Sequence, residues 1–535
     1  MQITTPHGRL PIEVESYELP PTFPLMLPVC RELGIAEIVD RCCPMHHYEH
    51  VSHGQVAEFL VLHILQEPDR KPLYKLEEWA HSHHVAFLYD CDAAAFNDDR
   101  VGRALEAIAQ QIGAIETSVV SRALERYRVP VDAIHWDVTN VTFTGAYDHS
   151  ALVRTGYGGG RIHEKQLNVS LHISLDPPAF GHGEGGIPLR HETLPGNARQ
   201  APLAAGMLAD LQTRLTKSDL LIISDCAGIS YDNIVTYQAA GAHFLGPMQL
   251  TPAEQDFIAG VPQEAFVPLE YRSQNNPDCR YSCFDTALTL QRQKRTAPLT
   301  VRALVIHSTQ KQQRDAQQRQ KQLNKTLQRL EAIRGHLNKA RYAHESYARE
   351  QLDKALPEGL QGAVHYELTG QYKQLQLRYW TDEAALAHAG RGDGRWMIVC
   401  DDTHHSPEEL FARQREHYDI EARFRSFGHD LAVQPMWLHN DDRMRGLLLV
   451  FILALTVYCL VELCSVRAGL EGDYHHKMTT RQLLYHFSLS PAKLLRVRIP
   501  GQPGTTQLVL SHDQSYFLKQ LGFPDPNRYL NPLGP

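Results

Sequence analysis

Cysteine, signal-like apolar runs and nucleotide-binding signatures are scarce in this 535-residue chain. The ten cysteines are irregularly spaced, which argues against a disulfide framework and favours reduced thiols. Residues 1–26 contain no continuous apolar stretch, so we expect no signal peptide and an intracellular protein. The glycine-rich residues 156–161 lack the lysine of a P-loop and precede a predicted strand, so we interpret them as a flexible turn.

Only one segment has a membrane-like composition. Residues 447–461 (LLLVFILALTVYCLV) are uninterrupted by charge and are followed by Glu462. A membrane-spanning helix needs about 20 apolar residues, and this run is shorter. The pattern predicts a helix that is buried on all sides, and no association with a membrane.

The composition is that of a soluble globular protein, with 43% hydrophobic and 21% charged residues. The length predicts two to four domains. A formal net charge of -8 gives no support to nucleic-acid binding by the whole surface. A local basic face would still permit it, because binding depends on how charge is distributed rather than on its sum.

The most informative strand carries a carboxylate in its middle. Residues 134–143 (IHWDVTNVTF) are mainly β-branched and aromatic, which predicts a strand. Burying Asp137 there is costly unless hydrogen bonds, a cation or a metal compensates. We therefore predict that Asp137 binds a metal ion.

Two further carboxylates follow along the chain. After a predicted antiparallel meander, four apolar residues at 220–223 form a buried strand with Asp225 at its C-terminal end, where α/β sheets usually place ligands. Ser406 and Pro407 are typical of a helix start, and that helix carries Glu421. Mg²⁺ prefers such hard oxygen ligands, so the three carboxylates suit a two-metal site for phosphoryl transfer.

Two polar clusters have less specific interpretations. The Cys/His-rich residues 42–53 suggest zinc, but no second pair stands at the usual spacing, so a polar loop is favoured. Residues 97–100 (NDDR) precede a predicted helix and are interpreted as its capping turn.

Residues 252–391 have a different character. They contain predicted strands at 265–271, 280–290, 301–308 and 364–379, and a long polar helix from residue 310 to about 355. Between residues 310 and 341, nine basic residues greatly outnumber Asp315 and Glu331. They are Lys311, Arg314, Arg319, Lys321, Lys325, Arg329, Arg334, Lys339 and Arg341. Such a run is usually a solvated face, but it also suits contacts with phosphates.

Several blocks of the sequence together resemble bacterial DDE insertion-sequence transposases, in the branch with an extra helical N-terminal domain. The residues that carry the resemblance are His135-Trp136-Asp137-Val138-Thr139 with Phe143 and Gly145, Gly186-Ile187-Pro188, Gly196-Asn197, Ile223-Ser224-Asp225 with Asn233, Ser406-Pro407-Glu408-Glu409-Leu410, Tyr418-Asp419-Ile420-Glu421-Ala422-Arg423-Phe424-Arg425, and Asn97-Asp98-Asp99-Arg100. The resemblance covers residues 15 to 490. The family usually has a lysine two helical turns after its glutamate, where this chain has Gly428-His429.

The resemblance implies an α/β fold, with a ribonuclease-H-like mixed sheet flanked by helices. It implies a helical N-terminal domain at 1–125 that binds DNA ends, core segments at 126–255 and 393–470, and a β-rich insertion with the long basic helix at 256–392. A small appendage would occupy 471–535. The protein would be a bacterial cytoplasmic, nucleoid-associated enzyme.

The resemblance also implies the chemistry. Asp137, Asp225 and Glu421 would be the catalytic residues and would bind Mg²⁺, for which Mn²⁺ could substitute. The substrates would be double-stranded DNA, namely terminal inverted repeats and target DNA, bound by a homodimer. The expected DNA-binding residues are Arg425, His429, Arg319, Lys325 and Arg329.

Two alternatives remain open from the sequence. Gly428-His429 would favour a catalytically decayed derivative that binds DNA without cutting it. A ribonuclease-H-like nuclease unconnected with transposition would use the same carboxylates.

Overall fold

The computed structural model describes residues 2–5, 8–45, 49–66, 71–156, 164–175, 186–199, 203, 206–273, 276–292, 297–360, 362–415, 417–472, 477–498 and 505–530. The chain forms two compact units. Unit 1 comprises residues 1–228, 235–242 and 415–535, and unit 2 comprises residues 229–234 and 243–414. The finer five-part division expected from the sequence stays a prediction.

Strands and helices alternate through the chain. The strands are β1 Gln2–Thr5, β2 Gly8–Pro11, β3 Glu13–Leu19, β4 Ala133–Phe143, β5 Arg154–Thr155, β6 Lys165–Leu175, β7 Ile187–Pro195, β8 Leu221–Ser224, β9 His243–Pro247, β10 Val267–Pro268, β11 Tyr281–Leu290, β12 Leu299–Ser308, β13 Val364–Thr369, β14 Gln376–Thr381, β15 Arg395–Cys400, β16 Ala492–Arg498 and β17 Thr505–Val509. The helices are α1 Phe23–Leu33, α2 Ile35–Cys42, α3 His53–Ile64, α4 Leu76–Ser82, α5 Asp98–Ala109, α6 Ile112–Tyr127, α7 Leu208–Leu215, α8 Tyr231–Ala239, α9 Pro252–Gly260, α10 Thr309–His336, α11 Glu345–Ala355, α12 Glu383–Gly390, α13 Pro407–Arg415, α14 His417–Arg425, α15 Asp441–Arg467, α16 Thr480–Ser488 and α17 His512–Gln520.

The main sheet of unit 1 is built around β4. This strand pairs antiparallel with β6 along its whole length and parallel with β8 over four residues. Strand β6 also pairs antiparallel with β7, so the predicted meander is confirmed. Parallel and antiparallel neighbours on one strand make the sheet mixed, and helices pack around it, which confirms the α/β class.

Unit 1 is centred on the predicted apolar helix. Helix α15 is longer than the apolar run, and it packs against α1, α3, α5, α6 and β7. By length and composition it could cross a membrane, with a mean hydropathy of 2.7, but 89% of its most apolar window is buried inside the protein. The prediction of a buried helix is therefore confirmed.

Glycines allow α15 to approach α5 closely. A Cβ atom at Gly446 would lie 2.1 Å from the carbonyl oxygen of Leu105, and one at Gly102 would lie 2.6 Å from the guanidinium of Arg443. At Gly446 the neighbour is fixed backbone, so a side chain there would collide with α5, whereas at Gly102 the flexible end of Arg443 would have to move. The N-terminal helices are thereby fixed on the same core as the sheet that carries Asp137.

The two ends of the chain meet in a small sheet that the sequence did not predict. Strand β16 pairs with β17 on one edge and with β3 on the other, both antiparallel. Strands near 495–499 and 507–510 belong to the expected appendage, but β3 lies in the N-terminal segment. Exposure alternates along β3, but the more covered positions include Glu15, and Val14 is 41% exposed, so the residue types do not show a hydrophobic alternation.

Unit 2 contains a second antiparallel array and a helical pair. Its strands run in the order β9, β15, β12, β11 and β10, each antiparallel to its neighbour. The expected single helix from 310 to 355 is wrong, because it is divided into α10 and α11. The break contains Asn338 and Ala340 with positive φ angles of 68° and 44°, which an α-helix does not allow.

Other expectations have mixed outcomes. The predicted strand at 265–271 is reduced to the two residues of β10, whereas those at 280–290 and 301–308 are confirmed as β11 and β12. The expected strand over 364–379 is a hairpin, β13 and β14. Most of the glycine-rich segment (157–161) and residues 46–48 of the Cys/His-rich segment lie outside the described residues.

The NDDR segment does more than cap a helix. The Asn97 side chain accepts from the Arg100 backbone N–H at the start of α5, which confirms the capping turn. The buried Arg100 guanidinium donates to the Val51 carbonyl oxygen at 2.9 and 3.1 Å, and it pairs with Glu49 at 3.2 Å. The motif therefore ties the loop before α3 to α5.

We predict that Gly446→Ala lowers the free energy of unfolding by about 1–3 kcal/mol, because the added methyl group meets the backbone of α5. Alanine normally stabilises a helix relative to glycine by up to about 1 kcal/mol. The matched control is Gly113→Ala in α6, where the new Cβ has only an ordinary contact of 3.7 Å with Arg214. Chemical denaturation of both variants measures the difference, and equal midpoints would contradict the close crossing.

Candidate active site

Neighbouring parallel strands bring two of the predicted carboxylates together. Trp136 of β4 is opposite Ser224 of β8 in the parallel register. Asp137 is the next residue of β4, and Asp225 directly follows the end of β8. Since paired strands lie about 4.8 Å apart, the two aspartates start from adjacent backbone positions.

The Asp137 carboxyl has a strongly raised pKa. Burial raises its pKa to about 7, and repulsion from Asp225 and Glu421 adds to the rise. The backbone N–H of Val138 donates to Asp137 Oδ1 at 2.6 Å and opposes it. The three predicted residues therefore share one electrostatic environment, which their separation in the sequence does not reveal.

A neighbouring thiol responds to the same charges. Cys226 follows β8, and its pKa is raised first by burial, then by the charges of Asp225 and Asp137. Asp225 thus raises the pKa of both Asp137 and Cys226. The electronegative character belongs to the site as a whole and not to Asp137 alone.

Asp225 is held by the turn that follows β8. Its Oδ1 accepts from the backbone N–H of Ala227 at 2.9 Å and of Gly228 at 3.3 Å. A Cβ at Gly228 would lie 1.9 Å from Ser224 Oγ and 2.9 Å from the Trp136 ring. Only glycine fits at this position. The turn can therefore pack against β4 and β8 and hold the Asp225 carboxylate in place.

Trp136 supports the opposite face of β4. Its ring is fully buried, and Nε1–H donates to Ser170 Oγ at 2.8 Å on β6. Side chains alternate between the two faces of a strand, so Trp136 anchors one face while Asp137 is presented on the other. This alternation explains why Trp136 and Asp137 are adjacent in the motif.

Glu421 comes to the site on α14, which packs against β4. Ile420 is fully buried, whereas Glu421 is exposed. Arg423, one of the few buried arginines, pairs with Glu462 of α15 at 2.8 Å. A Cβ at Gly186 would lie 2.7 Å from Arg423 Nε, so the glycine of that motif leaves space for this arginine.

Sequence reasoning missed the pairing of Arg423 with Glu462. A signal was available, because Glu462 ends an apolar run within a helix that is otherwise buried, and a charge in that position needs a partner. The partner could not be chosen from the sequence, since it lies on another helix. This ion pair positions the helix that carries Glu421.

The helix changes its geometry where the sequence departs from the family pattern. Residues Ser426–Asp430 form a π-helical turn directly after α14. Such turns insert an extra residue and often occur at functional sites. Consequently Gly428 and His429 do not occupy the positions that a regular helix would give them. His429 is 71% exposed, and its Nδ1 lies 3.3 Å from Asp430 Oδ1.

The predicted DNA-binding residues fall into two regions. Arg425 is exposed at the end of α14, and His429 lies in the following turn. Lys325 and Arg329 are exposed on α10 of unit 2, whereas Arg319 pairs with Asp393 and is largely covered. Their contacts with DNA stay predictions.

The carboxylates suit Mg²⁺ because they supply hard oxygen donors, not because they form a complete set of protein ligands around an ion. Within the described ranges, no three His, Cys, Asp or Glu side chains are grouped closely enough to hold a metal ion by themselves. Mg²⁺ does not require such a group, because it usually takes one or two carboxylates, several waters and substrate phosphate oxygens. Asp137 and Asp225 supply adjacent hard oxygen donors, and the repulsion at Asp137 is what a cation would relieve.

A family model matches one part of the chain. Residues 21–116 match a domain of unknown function (DUF4277). No curated protein matches the chain. A cryo-EM structure of the piggyBac transposase synaptic complex with hairpin DNA aligns over 97% of this chain and 86% of that one, with 8% sequence identity and a TM-score of 0.39. That likeness is too distant to support an argument, so the functional assignment depends on the site.

We predict that Asp137→Asn stabilises the metal-free protein above neutral pH. A folded-state pKa of about 7, against 3.8 ordinarily, means that the ionised carboxylate disfavours folding. Stability present below pH 3.8 is lost as the pH rises towards 7, and asparagine avoids that loss. We expect the free energy of unfolding of the variant to exceed that of the wild type by roughly 2–4 kcal/mol at pH 8, and this difference to vanish near pH 4.

Denaturation in EDTA across this pH range measures the effect. Asp219→Asn is the matched control, because Asp219 is an exposed carboxylate just before β8. A stability difference between wild type and Asp137→Asn that does not change with pH would contradict the raised pKa of Asp137.

Proposed function

We propose that this chain is a Mg²⁺-dependent DDE transposase that cuts the ends of an insertion sequence and joins them to target DNA. The observation that carries the proposal is the coupling of Asp137 with Asp225 and Glu421, placed by β4, β8 and α14. Stability alone gives no reason to keep these like charges together. A site that binds cations and phosphate does.

In this proposal the catalytic core is ribonuclease-H-like. Asp137, Asp225 and Glu421 hold the metal ions, which activate the attacking oxygen and stabilise the leaving oxygen when bound. Water first hydrolyses a phosphodiester bond at the end of the element, which leaves a 3′-hydroxyl. That 3′-oxygen then attacks a target phosphodiester, its proton is lost to solvent, and the target's own 3′-oxygen leaves.

The protein's remaining contribution is positioning. The backbone N–H groups of Ala227 and Gly228 fix one oxygen of Asp225 and leave its other oxygen for the site. The Arg423–Glu462 pair holds α14 against the core. Arg425, one helical turn beyond Glu421, would contact a phosphate near the reacting bond.

The proposal extends to the assembly. A homodimer would hold the two inverted repeats of the element, in the bacterial cytoplasm at the nucleoid. Mn²⁺ would replace Mg²⁺, because it also accepts carboxylate and water ligands. The DNA on either side of this gene would supply the terminal repeats needed as substrate.

We predict Mg²⁺-dependent nicking of a supercoiled plasmid that carries those repeats. Asp137→Asn, Asp225→Asn or Glu421→Gln should each lower the nicking rate at least about 100-fold, because each removes a ligand for the ions. Asp219→Asn, which removes an exposed carboxylate beside the same strand, should retain the wild-type rate. Tight DNA binding without nicking would contradict catalysis and support a decayed derivative.

A second assay separates a transposase from a ribonuclease-H-like nuclease. We expect the wild-type protein to join a pre-cut terminal repeat with a free 3′-hydroxyl to an unrelated target plasmid in Mg²⁺. A repeat ending in 3′-dideoxynucleotide is the matched substrate control and should give no joined product. Cleavage without any joining would assign the carboxylates to a nuclease instead.

A further inference from the structure

The basic residues of α10 fall into two sets, one with acidic partners among the described residues and one without. One set has acidic partners: Lys311 lies 2.6 Å from Asp315, Arg319 pairs with Asp393, and Arg334 lies 2.7 Å from Glu331. These three bases are neutralised within unit 2. They serve the fold and leave little charge for an external partner.

A second set of cations has no acidic partner among the described residues. Arg314, Lys321, Lys325 and Arg329 are all exposed, and none makes an ion pair with residues whose positions the structure gives. Lys321 and Lys325 follow Arg314 by seven and eleven residues, so each lies only about 20° from Arg314 around the helix axis. Arg329 lies about 60° from Arg314. The four cations therefore form one stripe.

Glutamines fill the spaces in this stripe. Gln317, Gln318 and Gln322 line one shallow surface depression with Arg314, Lys321 and Lys325. Both acidic residues of α10, Asp315 and Glu331, are held in the ion pairs described above. The basic stripe, defined as Arg314, Gln317, Gln318, Lys321, Gln322, Lys325 and Arg329, is consequently free of negative charge in a chain whose formal charge is -8.

The opposite face of α10 makes the stripe rigid. Leu323, Leu330 and Ile333 are buried in a core shared with α11 and the β13–β14 hairpin. A helix fixed along its length presents its cations at constant spacing. From Arg314 to Arg329 the stripe spans about 23 Å, against about 34 Å for one turn of duplex DNA.

We propose that the basic stripe binds the phosphate backbone of double-stranded DNA without reading its sequence. Lysine, arginine and glutamine donors suit phosphate oxygens, and α10 contains no aromatic residue. Single-stranded nucleic acid is bound largely by stacking on aromatic rings, which the stripe cannot provide. The partner class follows from the proposed function, but the binding itself does not require catalysis.

The test compares two double variants of the full-length protein. Lys321→Gln with Lys325→Gln removes two cations from the stripe, and glutamine keeps the helix propensity high. Arg349→Gln with Lys354→Gln is the matched control, because it removes two exposed cations of α11 that have acidic partners at i-4. Both change the net charge of the same unit by the same amount.

The readout is fluorescence anisotropy of labelled duplexes of two unrelated sequences, titrated at several KCl concentrations in EDTA. Each phosphate contact contributes about 0.9 to the slope of log K against log salt. The stripe variant should lose about 1.8 from the magnitude of the slope on both duplexes, and the control should keep the wild-type slope. An unchanged slope, a loss confined to one sequence, or an equal loss in the control would overturn the proposal.

Because EDTA prevents cleavage, the two proposals fail separately. A reduced slope in a protein that never nicks DNA would support the stripe and contradict the transposase. Normal nicking with an unchanged slope would support the transposase and contradict DNA binding by the basic stripe. A loss on single-stranded DNA that exceeds the loss on duplex would also overturn the assignment to duplex backbone.

Discussion

The burial of the Asp137 carboxylate beside two other carboxylates is the constraint on which the rest of unit 1 depends. Burial already disfavours the ionised form of Asp137, and Asp225 and Glu421 increase the penalty. Among the described residues, no cationic side chain neutralises the Asp137 carboxylate. The site is therefore an unfavourable feature that the surrounding structure must support.

The support comes from close contacts at glycines, where a larger residue would collide with its neighbours. Gly228 closes the turn that fixes Asp225, Gly186 admits Arg423, and Gly446 lets α15 cross α5. These glycines bring helices and strands together more closely than side chains would allow. The long apolar helix α15 then joins the N-terminal helices and the sheet that carries Asp137 into one core.

The sequence was most informative where local composition and tertiary burial agree. The strand that carries Asp137 was predicted to within a residue, because β-branched residues and burial on both sides favour the same conformation. The strand before Asp225 and the buried α15 were found for similar reasons. That the three carboxylates share one environment, however, depends on the register of β4 with β8 and on the packing of α14.

Other features could not be read from local pattern. The break between α10 and α11 occurs in a polar stretch with good helix formers, and β3 finds its partner strand almost the whole chain away. The π-helical turn at Ser426–Asp430 changes the meaning of Gly428-His429, which a regular helix would place differently. Likewise, the division of the α10 cations into paired and unpaired sets requires the positions of Asp393 and Asp315.

The central claim is that Asp137, Asp225 and Glu421 together bind divalent metal ions, and direct Mn²⁺ binding tests it most directly. Electron paramagnetic resonance of free Mn²⁺, measured during titration of the protein with a bound terminal-repeat duplex, gives the number of ions held. We predict two ions per chain in the wild type and a loss of binding in Asp137→Asn. Equal Mn²⁺ binding by the wild type and Asp137→Asn would contradict the claim.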